Sequence, residues 1–202
     1  MAKGSKNSVS AAAALKKLQA GNERFISHDP VHYQNKNDRK VFEGGQQPYA
    51  VILSCADSRV SPEIMFNAGL GELFVLRVAG NIADTTTIGS IEYAVSELNT
   101  NLIVVIGHEK CGAVNAALAN AASSLDLDYN LNSLLSHLAP AVAATKNLQE
   151  KNRFVATIKK NAKLQADELR KRSRIISSAR GVKIASAYYH LISGKVDFSD
   201  LA

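Results

Sequence analysis

Short apolar runs alternate with helical patterns through the middle of the chain. The runs that qualify as strands, each rich in β-branched or other apolar residues, cover residues 49–54, 73–78, 102–106 and 182–188. Between the second and third runs, an apolar stripe recurs at the spacing of one helix face, at Ile88, Ile91, Val95 and Leu98. This alternation predicts an α/β fold with a mostly parallel sheet flanked by helices.

Helical patterns also stand on either side of this alternating region. Near the start of the chain, three apolar residues share one helix face: Leu15, Leu18 and Phe25. They predict an N-terminal helical arm over about residues 9–27. A second helical pattern runs from about residue 131 to 173, with an apolar stripe at Leu148, Val155, Ile158, Ala162, Ala166 and Leu169. No internal repeat or Gly/Pro/Ser-rich linker divides the chain, so we expect a single domain over residues 1–202.

Composition excludes several classes of protein. Of the 202 residues, 46% are hydrophobic and 21% are charged, which is typical of a globular domain and not of a disordered or disulfide-rich chain. No apolar run approaches the roughly 18 residues of a membrane span, so we expect no membrane insertion. The first residues lack the apolar core of a secretory signal, and we expect a cytoplasmic location.

The net charge of +6 comes from one basic region. Residues 146–180 hold eleven Lys and Arg against three Asp and Glu. Such a stretch could bind nucleic acid or an anionic surface, but aromatic residues are not interleaved with its charges and no recognition motif accompanies them. We interpret it as a solvated helix face and expect no nucleic-acid partner.

Candidate metal ligands follow the first and third predicted strands. Cys55, Asp57 and Arg59 come after the first strand, and His108 and Cys111 come after the third. Because the carboxyl ends of parallel strands meet at one edge of a sheet, we expect these side chains to lie together. Two thiolates and an imidazole are a typical zinc donor set, and three protein ligands leave a fourth position for water, as in catalytic sites.

Each of these residues also has a simpler interpretation. A lone buried cysteine is most often a small apolar residue, and Asp57 with Arg59 can be a local ion pair. A Cys55–Cys111 disulfide is the other structural alternative, although it fits poorly with a chain that shows no secretory signal. The coincidence of both cysteines with His108 at two strand ends favours the metal site.

Two motifs resemble the signatures of the beta-class carbonic anhydrases. They are CADSR at residues 55–59 and GHEKCGAV at residues 107–114. The likeness covers nearly the whole chain, through LKKLQAGNERF near the start, GELFVLRVAGN at 71–81, IGSIEYAV at 88–95 and AYYHLISGKVDF at 187–198. The resemblance implies a sheet of four parallel strands with a fifth strand at one edge, in dimers that often pair into tetramers.

The resemblance also implies a function, the reversible hydration of CO2 to bicarbonate and a proton by attack of zinc-bound hydroxide. Cys55, His108 and Cys111 match the family's ligands for one zinc ion per subunit. Asp57 and Arg59 match its catalytic pair, in which the carboxylate orients the hydroxide and the arginine holds the carboxylate ionised. If Asp57 leaves Arg59, it can become a fourth ligand and close the site. The implied partners are CO2, bicarbonate and further copies of the chain.

Four more positions match residues that line the substrate pocket in the family. They are Gln46, Phe74, Tyr93 and Gly112. Tyr93 lies off the helix stripe and matches a position that lines the site of the neighbouring subunit, whereas Gln46 fits a turn-capping role equally well. Two alternative functions stay open, a sibling zinc hydrolase that acts on COS or CS2 and a noncatalytic zinc-binding module.

Overall fold

The strands form one sheet, and the helices lie between them in the chain. The computed structural model describes residues 9–29, 43–123 and 127–202. The strands there are β1 (Ala50–Ser54), β2 (Leu73–Arg77), β3 (Leu102–His108), β4 (Lys183–Tyr189) and β5 (Val196–Phe198). The helices there are α1 (Ala11–Ile26), α2 (Pro62–Met65), α3 (Thr85–Ser96), α4 (Gly112–Ser123), α5 (Tyr129–Ser136), α6 (Ala139–Ala144), α7 (Glu150–Arg172) and α8 (Arg174–Ser178), with a 3₁₀ turn at Ala79–Asn81.

The sheet is parallel except at one edge. Its strand order is β2-β1-β3-β4-β5, the first four strands are parallel, and β5 is antiparallel to β4. The α/β fold and the mostly parallel sheet are therefore confirmed. The bounds of β1, β2 and β4 agree with the predicted strands to within one residue, whereas β3 continues to His108. The histidine thus belongs to the strand itself, which fixes its backbone in the sheet.

Both faces of the two central strands are buried, which explains their continuous apolar sequences. On one face, Ile52 and Val104 pack in the same cluster as Leu18 of α1. On the other face, Leu53 and Val105 pack with apolar residues of α3 and α7. Because every residue of β1 and β3 is buried, the carboxyl ends of these strands are held side by side.

The helical pattern predicted over residues 131–173 corresponds to three helices, α5, α6 and α7. Pro140 stands in the first turn of α6, where a missing backbone N–H is tolerated, and it could not continue a helix from α5. The predicted apolar stripe is buried where α7 covers the sheet. Leu148 and Val155, however, are 47% and 41% exposed, so the stripe is shorter than the sequence pattern indicates.

The lysines of α7 lie on its outer face. The lysines of this helix are exposed, while its buried positions face the sheet. Lys163 forms an ion pair with Asp167 one turn further along the helix, as expected for a solvated face. Within the described part of the chain, none of the helices combines the length and the hydropathy that a membrane span requires.

Candidate metal centre

The predicted ligands converge where β1 and β3 end. Cys55 follows β1 directly, His108 is the last residue of β3, and Cys111 immediately precedes α4. One ligand atom from each of the three residues lies within 4.8 Å of the others. All three residues are buried and both cysteines are free thiols, so the disulfide alternative is wrong.

His108 has one ring nitrogen to offer a metal. Its Nδ1 lies 2.9 Å from the carbonyl oxygen of Glu109, which can only accept, so Nδ1 donates and Nε2 is the ring nitrogen left to bind a metal. Nε2 is buried without a hydrogen-bond partner among the described residues. A buried polar atom without a partner costs about 1–3 kcal/mol, and a cation at this position would remove that cost. The second nitrogen of a ligating histidine commonly binds a carbonyl in this way.

The two cysteine side chains are close enough to hydrogen-bond to each other. The pKa of Cys55 is lowered to about 4, chiefly because Cys111 donates a hydrogen bond to its sulfur, although burial of the sulfur opposes this shift. The pKa of Cys111 is raised, because its proton is held by Cys55 and its sulfur is buried. A divalent cation can replace that proton and stabilise both sulfurs as thiolates. The donor set therefore fits zinc.

Arg59 fixes the orientation of Asp57. Oδ1 of Asp57 accepts from the backbone N and the Nε of Arg59, at 3.0 Å and 2.9 Å, and Oδ2 accepts from Nη2 at 2.7 Å. These bonds hold the pKa of the Asp57 carboxyl well below its usual range. Oδ2 also lies 4.0 Å from Nε2 of His108. The pair thus places an ionised carboxylate beside the three candidate ligands.

Arg77 is a further residue of this centre, to which the sequence assigned no role. From the end of β2 it donates to the carbonyl oxygens of Cys55 at 3.3 Å, Ala56 at 3.2 Å and Asp57 at 2.7 Å. It thereby fixes the backbone that presents both a ligand and the carboxylate. The same strand-end argument that found the ligands could have found Arg77, because β2 pairs with β1 and ends beside it.

The structure shows where the four predicted pocket residues lie, and it tests none of their roles. Phe74 and Tyr93 contact each other, with ring centroids 6.4 Å apart, and Tyr93 is 50% exposed. Gly112 begins α4, and a Cβ atom added there would meet nothing within 4 Å, so the space beside its backbone is free. Gln46 is exposed in the segment before β1. Their roles in substrate binding stay predictions.

Comparison with known proteins places this chain in a family. The sequence profile described as carbonic anhydrase matches residues 50–196. The carbonic anhydrase of Mycolicibacterium smegmatis is 36% identical over 191 residues, covering 92% of this chain and 91% of that protein. The crystal structure of the beta-carbonic anhydrase CafA of Aspergillus fumigatus is 25% identical with a TM-score of 0.72, covering 94% of this chain and 89% of that one. The chain belongs to the beta-class carbonic anhydrase family.

Two further proteins are similar to this chain, one over about half of its length and one in its fold. Carbonic anhydrase 2 of Mycobacterium tuberculosis is 56% identical over 108 residues, and the chain spans about half of that relative, 52% of its length. A tetrameric beta-carbonic anhydrase of Sordaria macrospora is 24% identical with a TM-score of 0.73, covering 93% of this chain and 94% of that one, and it shares the fold. Zinc is the metal of the beta-class carbonic anhydrases, and Cys55, His108 and Cys111 offer it two sulfurs and a nitrogen.

Proposed function

We propose that this protein catalyses the reversible hydration of CO2 to bicarbonate and a proton, with zinc held by Cys55, His108 and Cys111. The observation that carries the proposal is the buried Nε2 of His108, which has no hydrogen-bond partner in the part of the chain that the structure describes. It lies 4.0 Å from the Asp57 carboxylate, and His108 forms one ligand cluster with the sulfurs of Cys55 and Cys111. A structural zinc site would need a fourth protein ligand and no acid–base group at its side. Membership in the carbonic anhydrase family supports the same reaction.

Zinc in such a site lowers the pKa of a coordinated water from about 15.7 to about 7, which supplies a nucleophile near neutral pH. Two thiolates cancel the formal charge of the metal, so this donor set acidifies water less than three neutral imidazoles would. A neighbouring acceptor for the water's proton therefore matters more here. The carboxylate of Asp57 is the acceptor at hand.

Asp57 acts as that acceptor and orients the attacking water. Its pKa is held low by the side-chain hydrogen bonds from Arg59, so the carboxylate is ionised over the whole neutral range and can only accept. With zinc and its water bound, Oδ2 would accept a hydrogen bond from the water, which would turn a lone pair of the water oxygen toward CO2. Arg59 keeps the carboxylate aimed by binding both of its oxygens, and this binding opposes a move of Asp57 into a fourth ligand position.

Turnover of three linear substrates by the zinc-loaded protein tests this function. Stopped-flow hydration of CO2, with COS and CS2 hydrolysis measured on the same sample, is expected to give fast CO2 hydration and slower or no turnover of the sulfur compounds. Turnover of COS or CS2 above that of CO2 would assign the chain to the sibling hydrolases. Zinc binding without turnover of any of the three would leave only the noncatalytic zinc-binding module.

We propose in addition that the protein is a homodimer or homotetramer, in which a second copy covers the exposed side of Tyr93. Support comes from the tetrameric Sordaria macrospora protein of the same fold and from the 50% exposure of an aromatic residue packed on Phe74 of the edge strand β2. Light scattering at several protein concentrations tests it, with a monomer at all concentrations as the contrary result. A cytoplasmic location stays a prediction.

A further inference from the structure

Two amide side chains are buried on the inner face of α7. Asn161 is 1% exposed and Gln165 is 5% exposed, and both face the interior beside Ala162 and Leu169. Apolar side chains would cover the sheet equally well, and a buried amide is tolerated only when its hydrogen bonds are made. We call Asn161 and Gln165 the amide clamp.

The hydrogen-bond partners of the amide clamp determine which atom of each amide donates and which accepts. The backbone N–H of Ala83 can only donate, and it lies 2.8 Å from Oε1 of Gln165. Nε2 of Gln165 therefore donates, to the carbonyl oxygen of His137 and to Oδ1 of Asn161, both at 3.2 Å. Nδ2 of Asn161 is left to donate to the carbonyl oxygen of Gly80 at 2.8 Å. The orientation of both amides thus follows from a backbone donor at one end and a backbone acceptor at the other.

Both ends of the amide clamp fall on the segment that leads from β2 into α3. Within this segment the backbone N–H of Gly80 lies 3.4 Å from the sulfur of Cys55 and donates to it. Gly80 has φ 72° and ψ 13°, a left-handed conformation that costs a residue with a side chain more than a glycine. The carbonyl that Asn161 binds and the N–H that faces Cys55 belong to adjacent peptide units that meet at Gly80, so holding the first restrains the turn that presents the second.

We propose that Asn161 is a positioning residue of the metal centre, which acts through Gly80 to hold a hydrogen bond onto the ligand sulfur of Cys55. This inference rests on the proposed zinc centre. Groups that hydrogen-bond a metal ligand set its orientation and its strength as a donor, and their loss weakens metal binding by about 10- to 100-fold. Asn161 belongs to α7, far along the chain from every ligand, and Gln165 sets the direction of its amide.

The test compares Asn161→Leu with Thr157→Val, a matched loss of a buried hydrogen bond on the same helix. Thr157 is fully buried and bonds the hydroxyl of Thr145 and the carbonyl of Arg153, both at 2.7 Å, and these are its side-chain bonds among the described residues. We expect Asn161→Leu to raise the zinc dissociation constant about 10-fold in competition with a chelator. In the cobalt-substituted protein, the sulfur-to-cobalt charge-transfer band is expected to move to longer wavelength, because a thiolate that loses a hydrogen bond gives up its electrons more easily.

The possible outcomes of this experiment distinguish the zinc centre from the role of Asn161. A wild-type protein that shows no sulfur-to-cobalt band would overturn the zinc centre and the inference with it. A wild-type band with equal zinc affinities and spectra for Asn161→Leu and Thr157→Val would overturn the inference and leave the zinc centre standing. If Asn161→Leu does not fold, the smaller pair Asn161→Ala and Thr157→Ala is judged on the same two readouts.

Discussion

Arg59 donates to both carboxylate oxygens of Asp57, from Nε to Oδ1 at 2.9 Å and from Nη2 to Oδ2 at 2.7 Å. The same arginine reaches across to the carbonyl oxygen of Lys110 at 3.3 Å, in the loop between His108 and Cys111. One guanidinium therefore connects the loop after β1 with the loop after β3. It thereby holds the Asp57 carboxylate beside the loop that carries Cys111.

Replacing Asp57 by asparagine should separate catalysis from metal binding. Asp57→Asn keeps the shape of the side chain but replaces one acceptor oxygen by a donor, so CO2 hydration is expected to fall about 100-fold or more. Zinc content, measured on the same sample, should stay unchanged, because Asp57 is not among the three clustered ligands. Asp167→Asn, on the exposed face of α7, is the control and should keep full activity. Full activity in Asp57→Asn would contradict the assigned role.

The reactivity of the two thiols should report the occupancy of the centre. Cys55 and Cys111 are 5% and 1% exposed, and zinc would bind the sulfur lone pairs that a thiol reagent attacks. We expect no reaction of the zinc-loaded native protein with a chromogenic disulfide reagent. After removal of zinc with a chelator under denaturing conditions, both cysteines of the chain should react. Rapid reaction of either thiol with zinc still bound would show that it is not a ligand.

Asp197 should contribute to stability only above acid pH. The carboxylate of Asp197 accepts hydrogen bonds from His190, at 2.8 Å, and from Lys195. Both bonds lower the pKa of Asp197 in the folded protein, and the bond from His190 has the larger effect. Because the pKa of Asp197 is lower in the folded than in the unfolded protein, the ionised carboxylate stabilises the fold at any pH above the unfolded pKa of about 3.9. This stabilisation is lost as the pH falls through the pKa of the folded protein.

The measurement is urea unfolding of the wild type and of Asp197→Asn between about pH 7 and pH 3. The wild type is expected to be the more stable of the two at neutral pH, with the difference shrinking below about pH 4. Zinc loss at acid pH affects both proteins alike, so the comparison isolates Asp197. A difference that grows toward acid pH would have the wrong sign for this account.

The sheet and the ligand cluster could be predicted because the physics behind them is local in sequence. Strands buried on both faces have continuous apolar sequences, and β1 and β3 have them. The ends of neighbouring parallel strands are close in space, so the sequence alone is enough to place Cys55, His108 and Cys111 together.

The support that the last long helix gives to the centre could not be predicted in the same way, because it depends on a contact between distant segments. Asn161 is an ordinary polar residue in the sequence, and only the fold brings it against the backbone of Gly80. The predicted apolar stripe through residues 148–169 is longer than the buried one for a related reason. Its apolar spacing continues through Leu148, although the chain turns before α7 and leaves that side chain in solvent.

The pH dependence of CO2 hydration, measured by stopped flow over about pH 6 to 9 with the zinc content determined on the same sample, tests the central claim most directly. The account predicts about one zinc ion per chain and a rate that rises with pH, because the coordinated water must lose a proton before it attacks. A zinc-loaded protein without hydration activity, or with a rate that is flat across this range, would contradict it.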